Sequence, residues 1–319
     1  MRQLTILSTV AVTAALVLTS SSMRGGVTAV DVPTLGVNGD MNGMQIFPPD
    51  NPWNTPVDKR PVDPMSSAII AKIGADKPLI PEFGSSRHGG PHGFPYIVVG
   101  IAQRRIPTFF DNDIQSDAGS YPIPNDAPVE IQEQKNARRM ILISRDERRL
   151  YEISYAYGES NGWKGNVGAI FDLMSNQLRP DGWVSADDAG LPIFPGLVRF
   201  DEVHHGAIDH ALRFTVSSTR AAYVPPARHW TSRKKDKDLP PMGMRVRLKA
   251  GFDISKFPPA ARVVLKALKT YGMIVADNGE DWGLSGTADS RWNDMALSTL
   301  SQVKGSDFEV VEMKGMVAK

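Results

Sequence analysis

The densest group of chemically capable side chains is the run Asp201-Glu202-Val203-His204-His205-Gly206-Ala207-Ile208-Asp209-His210, with three histidines and three carboxylates within ten residues. Neutral imidazoles and carboxylates are ligands for zinc and similar divalent ions. No fixed spacing such as His-Glu-x-x-His accompanies them. The run therefore reads first as a polar connection between two strands, and neither a metal nor another cofactor is expected.

Carboxylates for acid–base work come next. Asp201 or Glu202 is one pole, and Asp277-Asn278-Gly279-Glu280-Asp281-Trp282 is the other. Two carboxyls facing a sugar, one protonated and one ionised, are the machinery of glycoside cleavage. Asp277 or Asp281 would be the second member, with Trp282 as a stacking platform. The plainer reading is a turn, because Asp-Asn-Gly forms turns by backbone preference alone.

His210 and Arg213 lie three apart on one expected strand, and Pro226-Ala227-Arg228-His229-Trp230 adds another Arg, His and aromatic. Arg holds carboxylates in bidentate pairs. Two Arg with His and Tyr suit a uronate and β-elimination; pairing with structural acids is the alternative. The loop His88-Gly89-Gly90-Pro91-His92 is read as solvated. The chain lacks a phosphate-binding Gly-x-x-x-x-Gly-Lys-[Ser/Thr] loop and a Gly-x-Gly-x-x-Gly fingerprint, which argues against nucleotide-dependent chemistry.

The elements that must position these groups are mostly strands. Pro95 to Ile101 is apolar throughout. Met140 to Ser144 and Leu150 to Tyr157 flank the polar tip Arg145 to Arg149 and form a hairpin. Tyr151, Ile153, Tyr155 and Tyr157 alternate with smaller or polar residues, which puts an aromatic row on one face. Val167 to Leu173, Leu197 to Val203, Ala211 to Val216, Met244 to Lys249, Met273 to Ala276 and Phe308 to Val311 also read as strands. Arg245, Arg247 and Lys249 share one face, which is wet, an edge or a ligand site. Residues 65–73 form a short helix. Two further helices follow in the C-terminal half: one opened by Pro258-Pro259, the other capped by Ser290 and running to Gly305.

The chain opens with Arg2 and an apolar run from Leu4 to Leu18, followed by small residues. That is the pattern of a cleavable signal peptide, ending near Ala29. Secretion to the periplasm or the outside is therefore expected, with no membrane association after cleavage. Lys and Arg total 36 against 35 Asp and Glu, and two of the arginines, Arg2 and Arg24, fall in the leader. The near-neutral remainder carries no footprint for nucleic acid. There are 0 cysteines, so the core alone must hold the fold. Residues 30–45, rich in Gly, Asn and Asp, read as a disordered lead-in. Residues 46–313 read as one domain that begins with the extended segment Phe47-Pro48-Pro49-Asp50-Asn51-Pro52-Trp53-Asn54.

These segments resemble an uncharacterised family of secreted bacterial proteins. The likeness rests on Phe47 to Asn54, Gly190-Leu191-Pro192-Ile193, Pro195 to Val203, His210 to Phe214, Pro226 to His229, and Asp277-Asn278-Gly279 through Asp281-Trp282 to Arg291-Trp292-Asn293-Asp294. His204, His205 and Ala207 depart from the pattern. The resemblance implies action on polysaccharides, because relatives with appended carbohydrate-binding modules are part of it.

The expectation is a single β-rich α+β domain, a sheet sandwich or barrel with two helices in its C-terminal half. Its function would be secreted glycoside hydrolysis of a polysaccharide. Asp201, Glu202, Asp277, Asp281 and His210 are the catalytic candidates. Arg213, Arg228, His229, Trp282, Trp292 and Asn293 would bind substrate. The alternatives are a lyase acting on an acidic glycan and a non-catalytic glycan-binding or envelope protein.

Overall fold

Residues 140–153 show why strands dominate. In the computed structural model, which describes residues 32–87, 89–130 and 137–318, Met140–Ser144 pairs antiparallel with Arg149–Ile153. Ile141, Ile143 and Leu150 enter one hydrophobic cluster, while Met140, Leu142, Tyr151 and Ile153 enter a second. The two-residue period of a strand sends alternate side chains to opposite faces. This hairpin is therefore a wall between two cores, which is why its sequence is apolar almost without a break. It lies at the centre of a five-stranded sheet ordered Gly36–Val37, Ile97–Val99, Met140–Ser144, Arg149–Ile153, Gly168–Asp172.

The larger core is shared with a six-stranded sheet. Its order is Phe308–Val310, Arg245–Leu248, Met273–Asn278, Leu212–Val216, Gly283–Leu284, Ile80–Pro81. The two central strands are parallel, with Leu212 opposite Met273 and Thr215 opposite Asp277. Parallel neighbours need a long crossover, and residues 217–272 supply it. The helix Pro259–Thr270 in that crossover buries Ala261, Val264, Leu265 and Leu268. The smaller core is covered by a four-stranded sheet ordered Tyr157–Glu159, Gly162–Gly165, Ile106–Phe110, Gly119–Tyr121. Strands outweigh helices 27% to 16%, in one β-rich domain with helices.

Several expectations are corrected. Residues 32–45 are packed, not a disordered lead-in. Met41 and Met44 are buried, and Gly36–Val37 pairs with Ile97–Val99. The Gly and Asn content of this stretch makes turns: Asn38 and Asn42 have left-handed backbones, and a Cβ on Gly39 would lie 2.0 Å from the Thr34 carbonyl oxygen. The domain also runs past 313, because Val317–Ala318 pairs with Ala222–Tyr223. The signal peptide and His88 lie outside the described residues.

Residues 200–205 are a helix, Phe200–His205, not the end of a strand. Gly206 closes it with φ +92° in the left-handed conformation that suits glycine. The helix Asp294–Ser298 is capped by Asn293, whose side chain accepts from Ala296 N. Ser290 is not the cap, because residues 289–291 form a separate turn in which Asp289 Oδ1 accepts from Arg291 N at 2.9 Å. The expected aromatic row is broken at Tyr155, whose φ of +53° ends the strand. Tyr151 and Ile153 are buried, whereas Tyr155 and Tyr157 are exposed.

The cationic face of Arg245–Leu248 holds the N-terminal segment. Arg245 donates to the carbonyls of Tyr271, Pro52 and Thr55 at 2.6, 2.8 and 2.9 Å. Arg247 donates to the carbonyls of Val57 and Arg60 and pairs with Glu309. Within the segment, Asn54 Nδ2 donates to the carbonyls of Ile46, Phe47 and Pro48. Trp53 is buried with its ring against Gly196. No helix among the described residues is long and apolar enough to cross a membrane.

Candidate functional site

The parallel strands Leu212–Val216 and Met273–Asn278 have two ends, and the expected residues divide between them. His210 precedes the N-terminal end, and Asp277 stands near the C-terminal end opposite Thr215. About five residues separate them along the pair, roughly 16 Å at the usual rise. Asp201, Glu202 and His210 therefore form one group, and Asp277 and Asp281 lie at the other end of the strand pair.

The N-terminal group is closed on itself. His210 Nε2 lies 3.1 Å from both Glu202 oxygens, and its Nδ1 lies 2.8 Å from the Ala211 carbonyl oxygen. Arg199 Nη2 reaches Glu202 Oε1 at 2.5 Å. Burial works to raise the Glu202 carboxyl, but Arg199 and His210 overcome it and hold the group below its usual value. Both ring nitrogens of His210 thus face oxygen atoms. Asp201 Oδ2 accepts from Met41 N at 2.9 Å. Burial raises its carboxyl, with Arg199 opposing and Glu202 adding to the rise. These groups lock the helix Phe200–His205 to residues 38–41 and to the strand entry. Among the described residues, no three His, Asp or Glu side chains converge as metal ligands.

Four expected sugar contacts are corrected. Trp282 is 0% exposed. Its ring is stacked between Phe214 at 5.8 Å and Phe308 at 5.3 Å, which leaves no face for a ligand. Trp292 is buried edge-on against Phe83 and Phe200, and Asn293 is spent on its helix cap. Arg213 is 1% exposed; it donates to Asp187 Oδ2 at 2.6 Å and to Ser285 Oγ at 2.8 Å. Asp281 is held by Lys77 at 2.6 Å and by Ser217 N at 2.7 Å. Aromatic and cationic side chains in these positions satisfy the core and its buried acids before any ligand.

At the C-terminal end, Asp277 meets two acids that lie in the loop at 185–190. Asp277 Oδ2 accepts from Arg139 Nη2 at 2.6 Å, and its Oδ1 accepts from Asn278 N at 2.8 Å. The carboxyl groups of Asp188 and Asp277 share a hydrogen bond. Burial, then the charges of Asp277 and Asp187, push Asp188 up to about 7. Beneath it, Asp187 is pushed to about 6 by burial, with Arg213 resisting. Arg139 also donates to the Ala186 carbonyl at 3.0 Å and approaches Glu130 Oε2 at 3.4 Å. Burial raises Glu130 despite that cation.

The dyad is partly open. Asp188, His229, Arg228, Trp183 and Trp230 are all half-buried. Arg228 N and His229 N both donate to the Ala189 carbonyl, so the 226–230 segment is stitched to the acid-bearing loop. His229 Nδ1 donates to the Asp188 carbonyl at 2.9 Å. That bond fixes the tautomer, so the neutral ring carries its lone pair on Nε2. Arg228 is tied to Asp181 at 2.5 Å and to the Arg179 carbonyl at 2.9 Å. A separate cavity of about 570 Å³, bordered by Asn38, Pro95, Asp289 and Arg291, contains none of the dyad.

Of the expected residues, the structure thus brings together Asp277, Arg228 and His229. It adds Asp188, Asp187 and Arg139, which sequence reasoning missed. The one available signal was the Asp-Asp doublet in Ser185-Ala186-Asp187-Asp188-Ala189-Gly190, directly before the Gly190-Leu191-Pro192-Ile193 segment. Comparisons with protein-family models, curated proteins and solved structures found no match.

Proposed function

We propose that this chain is an exported acid–base enzyme that cleaves glycosidic bonds of a polysaccharide, with Asp188 and Asp277 as its working pair. The observation that carries the reading is the shared hydrogen bond between these two carboxyls. Like charges in contact do not both ionise, so the pair keeps one proton near neutral pH. Arg139 and the Asn278 N–H both donate to Asp277, and we assign it the charge-stabilising role. Asp188 pairs with no cation among the described residues and keeps the proton. In this reading Asp188 protonates the leaving oxygen, and Asp277 stabilises the positive charge that develops on the sugar. In this reading half-buried Trp183 and Trp230 are the aromatic candidates for sugar contact, one backed by Arg179 and the other by Tyr223.

The pair differs from the expected one. Asp277 keeps its role, and Asp188 replaces Asp201 or Glu202 as its partner. The side-chain hydrogen bond that helps to raise Asp188 couples the two carboxyls, so in this reading the dyad works as one proton-holding unit. His229 favours a second reading. Its Nε2 lone pair suits a base that removes a sugar ring proton, which is the first step of β-elimination.

The test is to incubate the protein with neutral and acidic polysaccharides and to follow both reducing ends and ultraviolet absorbance. Hydrolysis gives reducing ends alone, and Asp188→Asn and Asp277→Asn should each abolish it while remaining folded. An absorbing product that depends on His229 moves the reading to the lyase. Cleavage unaffected by both Asn variants would sink the dyad.

A further inference from the structure

A second cavity, of about 310 Å³, lies between the N-terminal segment and the strand bearing Arg245. Arg60, Arg245 and Lys314 border it, as do Asp50 and Glu312. The two acids are occupied: Asp50 Oδ1 accepts from Asn176 at 2.8 Å, and Glu312 pairs with Lys314 at 3.2 Å. The two guanidinium groups have only carbonyl partners among the described residues. Arg245 donates to Tyr271, Pro52 and Thr55, and Arg60 donates to the Glu312 carbonyl at 3.3 Å.

Two guanidinium groups that border one cavity and pair with no carboxylate among the described residues repel each other and lose hydration. Burial, and after it the charge of Arg60, push the Arg245 guanidinium down to about 9. An anion between the two forks removes both penalties, and planar guanidinium donors suit the oxygens of carboxylate and phosphate. Val224, Ile274 and Val311 provide apolar walls, so the ligand needs a compact body behind its charged group. The cavity is at the small end of ligand sites.

We propose that this cavity is a binding site for a small anion, a carboxylate or phosphate group on a compact ligand, held between Arg60 and Arg245. The site is independent of the Asp188–Asp277 dyad and stands whether or not that pair cleaves glycans.

Calorimetric titration of the full chain at constant ionic strength tests it, with glucuronate, inorganic phosphate, glucose and chloride as probes. One saturable site for glucuronate or for phosphate is expected, with no binding of glucose or chloride. Glucuronate alone assigns a carboxylate ligand, phosphate alone assigns a phosphate ligand, and either supports the site. Arg60→Gln leaves the three Arg245 bonds in place and should weaken binding at least tenfold. Arg245→Gln should do the same if it folds; if it does not, Arg60→Gln carries the test. Failure of both anions to bind, binding of glucose equal to that of glucuronate, or unchanged affinity in Arg60→Gln overturns the proposal.

Discussion

His229 Nδ1 donates to the carbonyl oxygen of Asp188 at 2.9 Å, so the backbone that carries the acid also orients the imidazole. The two groups move together, and a substitution at either residue is felt by the other. His229→Gln should therefore lower turnover through misplacement of Asp188. A pH profile separates this from proton transfer by His229 itself. If His229 only positions the loop, the variant keeps the wild-type profile at reduced height. If it is the base, the acidic limb disappears.

If Asp188 and Asp277 are the working pair proposed above, they set the alkaline limit of activity. Asp188 is pushed to about 7 by burial and by the neighbouring carboxylates, so its proton is lost as pH rises through that value. Cleavage should fall above pH 7 with a slope of one proton. Asp187→Asn removes one of the charges that raise Asp188 and should move the limb to lower pH. A limb that stays in place would show that Asp187 is not coupled to it.

Glu152 predicts the opposite of ordinary acid sensitivity. Burial raises its carboxyl to about 7, against the hydrogen bonds from Phe194 N and Ile193 N. The folded protein keeps this proton at pH values where the unfolded chain has released it. Stability is therefore greatest below the ordinary glutamate value and is lost as pH rises toward 7. Between those limits the slope from one such group approaches about 1.4 kcal/mol per pH unit. Asp187 and Asp188 act in the same direction. Urea titrations from pH 5 to 7 should show a falling stability, and Glu152→Gln should flatten part of the slope.

Trp282→Ala should cost about 3–5 kcal/mol of stability, as large-to-small changes in a core do. The ring is stacked on Phe214 and Phe308 and bonded through Nε1 to the Gly74 carbonyl at 2.9 Å. Chemical denaturation would show the loss. A variant that keeps its stability and loses only glycan affinity would contradict the packing.

Arg139→Met leaves Asp277 and Glu130 without their shared cation. Breaking a buried pair from one side costs about 3–5 kcal/mol. Arg139→Lys keeps the charge without the fork, so it should recover part of the stability. Urea denaturation of the two variants side by side checks this.

Much of the scaffold was legible in the sequence. The Met140–Ser144 hairpin announced itself through its polar tip, and the helix Pro259–Thr270 through its prolines and apolar stripe. The helix Phe200–His205 was not legible, because Val198-Arg199-Phe200-Asp201 alternates as a strand would. Gly206 and the tie from Met41 to Asp201 decide the matter. The site was half legible. Asp277, Arg228 and His229 stood out by type, whereas Asp188 lies in a loop without periodicity. Arg139 gains meaning only through a contact that spans 138 positions to Asp277. Trp282 and Trp292 misled because an aromatic beside an acid looks the same in sequence whether it faces solvent or the core.

The arginines that clasp residues 52–60 place a condition on the order of assembly. Arg245 and Arg247 lie nearly two hundred positions after the carbonyls they hold. Asp63 N and Leu79 N likewise donate to the carbonyls of Val310 and Val303. A ribosome releases the early segment long before any of these partners exists. Residues 52–63 therefore cannot complete these long-range bonds until the C-terminal strands emerge. Removal of the last dozen residues from Phe308 onward should then unravel both ends at once.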